Sequence, residues 1–161
     1  MASENRTPLP THFSNSFSKP PANNDKVTNI VWCLAYTPDG TKLLAVVGDF
    51  ILVYDTKTGE VIHSVRGYHK ADIYCIAINR NGSRMATGSA DKQVIIWKAD
   101  FKPEAKYTQG ESIQCMEFDP LTGKLFSGGE GQFVVSTFDE KKIERNTYKG
   151  KILCCSWTPD G

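Results

Sequence analysis

Residues 73–97, IYCIAINRNGSRMATGSADKQVIIW, contain three short apolar runs separated by two tight turns. The first turn, Asn79–Ser83, holds an Asn-Gly pair, and the second, Ala90–Lys92, holds an aspartate, both typical of hairpin turns. A looser run follows at Glu104–Thr108. Short runs joined by such turns pair antiparallel with their neighbours. The sequence therefore predicts one small antiparallel sheet of four strands, at Ile73–Ile78, Arg84–Gly88, Gln93–Lys98 and about Glu104–Thr108.

Cysteine marks the same place in four successive copies of this pattern, at Cys33, Cys75, Cys115 and Cys154. The intervals between them are 42, 40 and 39 residues, and a turn containing glycine follows each cysteine run. A period of about 40 residues built from strands and turns is typical of a β-propeller blade. We predict an all-β, incomplete propeller with about three four-stranded blades plus the first strand of a fourth. The chain is then expected to be the opening part of a longer propeller.

The first strand of each copy is apolar on both faces. In the second copy, larger side chains such as Tyr74 and Ile76 alternate with smaller ones such as Cys75 and Ala77. A strand with one face in water would alternate polar with apolar residues, so this strand is expected to be buried on both sides. Sheets stacked face to face produce that pattern. We predict blades at about residues 30–68, 69–110 and 111–151, with the next blade beginning at 152–161.

Residues 1–26 differ in composition from the repeats. They are rich in Ser, Asn and Thr and hold four of the eight prolines of the chain. Such a segment buries too little apolar surface to offset its ordering entropy, so we predict a disordered tail at 1–26 and the partial propeller at 27–161. The segment lacks the continuous apolar core of a signal peptide, which favours a cytosolic protein.

The charges of the chain are balanced, with 19 Lys and Arg against 18 Asp and Glu. Nucleic-acid binding needs a clustered basic excess, so we predict no nucleic-acid partner. No stretch approaches the ~18 apolar residues of a membrane span, so we predict no direct membrane insertion. The cysteines occur about one per repeat rather than as converging pairs, which favours small buried thiols over disulfides or a zinc site.

Four polar residues of the second copy allow two interpretations: His69, Thr87, Asp91 and Trp97. A His, Asp and hydroxyl set can be a catalytic triad. Alternatively, Asp91 accepts from the imidazole of His69, which donates on to Thr87, and Thr87 meets the indole N–H of Trp97. Every polar atom of this buried relay would be satisfied, which is the condition for burying such groups. We favour the structural relay.

An enzyme is the least supported class. The chain has no phosphate-binding Gly-x-x-x-x-Gly-Lys motif, no Gly-x-Ser-x-Gly elbow and no paired-histidine metal motif. The glycine cluster at 128–131 lies between two predicted strands, so it is interpreted as a hairpin turn rather than a phosphate cradle. We predict no catalytic residue, no cofactor and no metal site.

The second copy resembles the WD repeat. Gly67-Tyr68-His69 stands where that family has Gly-His, with one residue inserted, and Ser89-Ala90-Asp91 and Val94–Trp97 follow at its spacing. The first copy ends in Tyr54-Asp55 instead of Trp-Asp, and the third has Gly131 at the aspartate position and no tryptophan. The relay is therefore predicted for the second blade only.

Further motifs extend the resemblance: Leu52–Thr56, Tyr74-Cys75, Gly88–Lys92, Val94–Trp97, Lys106–Thr108, Ile113–Cys115 and Ile152–Thr158. Taken in order, from about Asn29 to Gly161, they resemble the N-terminal propeller of the WD-repeat subunits of intraflagellar transport complex A. The resemblance implies a non-catalytic scaffold that acts in retrograde ciliary transport, cilium assembly and import of ciliary membrane cargo.

The same resemblance implies partners and a location. The partners would be the other subunits of complex A and ciliary cargo or adaptors, and the location would be the cilium or flagellum, its basal body and the cytoplasm. The alternative is another WD-repeat interaction platform, such as a vesicle-coat-like or signalling scaffold.

Overall fold

The computed structural model describes residues 30–137 and 142–161, so the tail predicted at 1–26 lies outside the described residues. The described residues form eleven strands and no helix. The strands are β1 (Val31–Tyr36), β2 (Lys42–Val47), β3 (Phe50–Asp55), β4 (Val61–Val65), β5 (Ile73–Ile78), β6 (Arg84–Ser89), β7 (Gln93–Lys98), β8 (Pro103–Thr108), β9 (Ile113–Phe118), β10 (Leu125–Thr137) and β11 (Lys142–Lys151). The prediction of an all-β protein is confirmed. A helix long and apolar enough to cross a membrane is not found within this described part.

The strands form three antiparallel sheets, which we call blades one, two and three. Their strand orders are β1-β2-β3-β4, β5-β6-β7-β8 and β9-β10-β11. Each sheet is a meander in which every strand pairs with its neighbour along the chain, because the turns between strands are short. The inner strands β1, β5 and β9 contact one another from blade to blade. The predicted stack of blades is confirmed, and the described blades do not close a ring.

Blade three has four extended segments although only three strands are assigned to it. The first part of β10 pairs with β9 and the second part pairs with β11. The Ser136 hydroxyl donates to the Leu125 carbonyl over 3.4 Å, whereas eleven residues of straight strand would span about 36 Å. β10 therefore folds back on itself near Gly131, whose φ of 69° suits a tight turn.

Alternate residues of blade two pack toward opposite neighbours. Met85, Ile95 and Trp97 join a buried cluster with Val46 and other residues of blade one. Residues one position away, such as Ala86 and Ile96, join a second cluster with β9 and β10. The two-residue period of a strand thus places both faces in a core. On β5, Ile76 joins the first cluster and Ala77 the second, which confirms the burial expected for this strand.

The two ends of the stack remain open. On β1, Leu34 is 56% exposed and Tyr36 60%, and at the other end Leu153 is 69% exposed. Residues 152–161, where the first strand of a fourth blade is predicted, are not in a strand, because a strand needs a partner strand and none pairs with them among the described residues. This segment still lies against blade three, where the Trp157 N–H donates to the Glu117 carboxylate over 2.8 Å.

The cysteines depart partly from the expected buried thiols. Cys75 and Cys115 are buried, but Cys154 is exposed. The Cys155 thiol instead contacts Cys115, and this hydrogen bond lowers the pKa of Cys115 and raises that of Cys155. All five thiols are free. The repeat spacing assigned these two residues to different blades, and the contact between the blades brings them together.

Candidate functional site

The structure places the four predicted relay residues next to one another in blade two. His69 Nδ1 lies 3.0 Å from Asp91 Oδ2, and His69 Nε2 lies 2.8 Å from Thr87 Oγ1. The Trp97 indole N–H donates to the same Thr87 oxygen over 2.9 Å. Thr87 is 0% exposed and Trp97 1%. The four side chains form one continuous chain of hydrogen bonds inside the sheet.

The direction of the hydrogen bonds follows from the chemistry of the ends of the relay. Trp97 can only donate, and the Asp91 carboxylate can only accept. Burial lowers the pKa of His69, which outweighs the opposing effect of Asp91, so the imidazole is neutral. With Nδ1–H donating to Asp91, Nε2 must accept from the Thr87 hydroxyl. The middle bond therefore runs from Thr87 to His69, opposite to the order expected from the sequence.

Asp91 also holds the loop that leads into blade two. Its carboxylate accepts the backbone N–H of Lys70 and that of Gln93, each over 2.9 Å. Burial raises the pKa of Asp91, but these two N–H groups and His69 outweigh burial, so its pKa lies below the ordinary value. The carboxylate thus ties the loop before β5 to the turn between β6 and β7.

The buried position of this set disfavours the triad interpretation. A nucleophilic hydroxyl must reach a substrate carbonyl, and the Thr87 hydroxyl is enclosed between His69 and Trp97. Among residues 30–137 and 142–161, no three His, Cys, Asp or Glu side chains are placed to share a metal ion.

A second buried polar network lies in blade three, and the sequence analysis missed it. Ser127 Oγ lies 3.0 Å from the Tyr107 hydroxyl and donates to Gln109 Oε1 over 2.8 Å. The Gln109 amide N–H donates to the Gln132 carbonyl over 3.0 Å. Gln109 lies 40 residues after His69, and Ser127 lies 40 residues after Thr87. Adding the repeat period of 40 residues to the relay positions would have identified both residues, although Gln109 and Ser127 differ in type from His69 and Thr87.

A bulge interrupts each inner strand at its second residue. The register shifts between Val31 and Cys33 in β1, and equivalent shifts fall at Tyr74 in β5 and Gln114 in β9. A bulge redirects the side chain of the extra residue. In blade one this residue is Trp32, which is 43% exposed and lies 4.9 Å from the Tyr74 ring, and its indole donates to Asp72 over 3.2 Å. In blade one the bulge thus places Trp32 at the surface, beside Asp72 in the loop before β5.

The acid stability of blade two is expected to depend on His69. In the folded state its pKa lies below the ordinary value of 6.5, so on acidification the unfolded chain binds the proton first. Stability is then full above about pH 6.5 and falls as the pH drops below that value. A His69→Gln variant, which copies Gln109 of blade three, cannot titrate and should lose this slope. Pulse proteolysis of the full-length protein in urea at pH 7.5 and 5.5, scored by cuts within β5–β8, measures how the stability of blade two changes with pH. An unchanged slope in the variant would contradict the prediction.

The chain is similar in sequence to known proteins along most of its length. The family model described as IFT122 first beta-propeller matches residues 30–161. The intraflagellar transport protein 122 homolog of Xenopus tropicalis is 42% identical over 137 residues, which are 85% of this chain and 11% of that protein. The Danio rerio homolog is 41% identical over 137 residues, 85% of this chain and 12% of the relative. The chain thus spans about a ninth of these relatives.

Solved structures agree on the fold. The crystal structure of RRP9 WD40 repeats superposes with a TM-score of 0.73, covering 82% of this chain and 42% of that chain at 20% identity. A likeness at this identity shows the WD40 architecture alone, whereas the family match covers every described blade. The chain therefore belongs to the family of the IFT122 first β-propeller.

Proposed function

We propose that this chain forms the first blades of the opening propeller of a non-catalytic scaffold subunit of the intraflagellar transport A particle, acting in retrograde ciliary transport, cilium assembly and import of ciliary membrane cargo. The observation that carries the proposal is the family match over residues 30–161. Its partners are the other subunits of the particle and ciliary cargo or adaptors. Its location is the cilium, its basal body and the cytoplasm.

The architecture supports a scaffold role. Stacked blades present short turns on a rigid frame, and loops on rigid frames commonly carry contacts with partners. These turns are held by their own side chains; Asp39, for example, accepts the Thr41 N–H over 3.0 Å and the Thr41 hydroxyl over 2.9 Å. In this proposal the blades are residues 30–68, 69–110, 111–151 and a further one from 152. The relay of His69, Thr87, Asp91 and Trp97 has a structural role in blade two.

Removing these blades from the full-length protein tests the proposal. Cells that express only a variant lacking residues 30–161 are expected to show complex A subunits dispersed in sedimentation, shortened cilia and cargo retained at ciliary tips. The matched control lacks only residues 1–26 and is expected to behave like the unchanged protein. Intact sedimentation with normal retrograde traffic in the first variant would contradict the proposal and favour another kind of WD-repeat platform.

A further inference from the structure

The outer edge of blade three differs in shape from the outer edges of blades one and two. β11 keeps six consecutive register pairs with β10, over Lys142–Thr147. β4 and β8 keep only three and four such pairs before their register shifts. β8 also begins with Pro103, which has no N–H to offer. Bulges and proline are the usual protections of a sheet edge against another strand. The Lys142–Thr147 half of β11 has neither.

The charge of this edge is also different. Four of the ten residues of β11 are cationic and one is anionic: Lys142, Arg145, Lys149 and Lys151 against Glu144. β4 has no Lys, Arg, Asp or Glu, and β8 has one lysine and one glutamate. Every residue of β11 is exposed. The ion pairs that Lys142 makes with Glu144 and Lys151 with Glu130 lie in water, where such pairs are weak. The edge therefore keeps a positive excess.

The strand is also held in place before any partner arrives. The Arg145 guanidinium donates to the Thr108 carbonyl of β8 over 2.9 Å. This bond fastens the middle of β11 to blade two, and the six pairs with β10 fix its extended form. A segment that adds to a preorganised edge meets no ordering cost on the propeller side.

We propose that β11 binds an extended acidic segment of a partner protein as an additional strand of blade three. Strand addition supplies affinity through backbone hydrogen bonds, and side chains supply selectivity. The cations of β11 select acidic residues and disfavour a second copy of this chain, since two β11 edges would bring like charges together. The inference rests on the scaffold function proposed above and adds the kind of partner that one of its edges takes.

A synthetic peptide of five Asp-Val repeats, labelled with fluorescein, tests the proposal by anisotropy with the full-length protein. We expect it to bind, and binding should weaken as salt rises from 50 to 300 mM. A peptide of five Asp-Pro repeats has the same charge but lacks half of the backbone N–H groups, and it should bind at least tenfold more weakly. Amide exchange of β11 should slow with the Asp-Val peptide only. Equal binding of both peptides would overturn the proposal, because it would show attraction of charge without strand addition.

Charge reversal on the strand supplies the matched variants. Lys142→Glu with Lys149→Glu should weaken binding of the Asp-Val peptide by at least tenfold. Lys57→Glu with Lys70→Glu makes the same change of charge in loops of blades one and two, away from β11, and should leave binding unchanged. An equal loss of peptide affinity in both double variants would show that the peptide does not bind at β11 and would overturn the proposal. A dimer in sedimentation that depends on β11 would show that the edge binds a second copy of the chain instead. Co-purification of complex A subunits with the full-length protein tests the scaffold function separately. A failure of the scaffold proposal can therefore be distinguished from a failure of strand addition at β11.

Discussion

A Gly88→Val variant is expected to lose about 3 kcal/mol of stability, the upper end of the usual cost of overpacking a core. A Cβ at Gly88 would come within 2.8 Å of both Cys75 Sγ and Ile113 Cβ, and closer still to Ile113 Cγ2. Ile113 is fully buried and belongs to the next blade. The added side chain would therefore push β9 away from β6. Amide exchange in the full-length protein, followed over peptides from β6 and β9, measures the loss as faster exchange in both strands.

Other glycines provide the comparison for this variant. A Cβ at Gly110 would meet only the Gln132 amide, with its oxygen at 3.3 Å, so Gly110→Ala should cost well under ~1 kcal/mol. Gly128 occupies the same place as Gly88 one repeat later, and its Cβ would lie 2.9 Å from Ile152 Cγ2 and 3.1 Å from Cys115 Sγ. Gly128→Val should therefore resemble Gly88→Val. Similar exchange rates for Gly88→Val and Gly110→Ala would show that the blades are not packed this closely.

A Thr87→Val variant is expected to lose about 2–4 kcal/mol, because one atom serves two partners of the relay. The change keeps the shape of the side chain but removes the hydroxyl that contacts both Trp97 Nε1 and His69 Nε2. Each buried polar group left without a partner costs about 1–3 kcal/mol. Pulse proteolysis in urea at pH 7.5, scored by cuts within β5–β8, measures the loss.

Serine at the same position separates the hydroxyl from the methyl group. Thr87→Ser keeps both hydrogen bonds and removes one buried methyl, which costs about 1 kcal/mol. We therefore expect serine to be tolerated better than valine, although valine is closer to threonine in volume. The reverse order would mean that packing, and not the relay, makes Thr87 important for stability.

The strands of blade two could be predicted almost residue by residue. The predicted β5 (Ile73–Ile78) and β7 (Gln93–Lys98) have the observed ends, and β6 extends one residue further than predicted. These boundaries are local: turn residues stop a strand, and alternation of apolar side chains marks it. The first strand of a fourth blade, predicted from residue 152, stays a prediction, because a local pattern does not supply the partner strand that a strand needs.

The sequence by itself determined the repeat, the strands, the turns and the residues of the relay, since these depend on neighbours along the chain or on one repeated motif. Only the tertiary structure decided that Gln109 is buried beside Ser127 and that β11 is an exposed edge. Glutamine between polar residues is typical of a surface loop, and its burial arises from contacts with strands about 20 residues away. The direction of the bond between Thr87 and His69 depends likewise on burial, which keeps the imidazole neutral. The burial of these polar groups is a property of the packed sheets, because the atoms that cover them come from other strands.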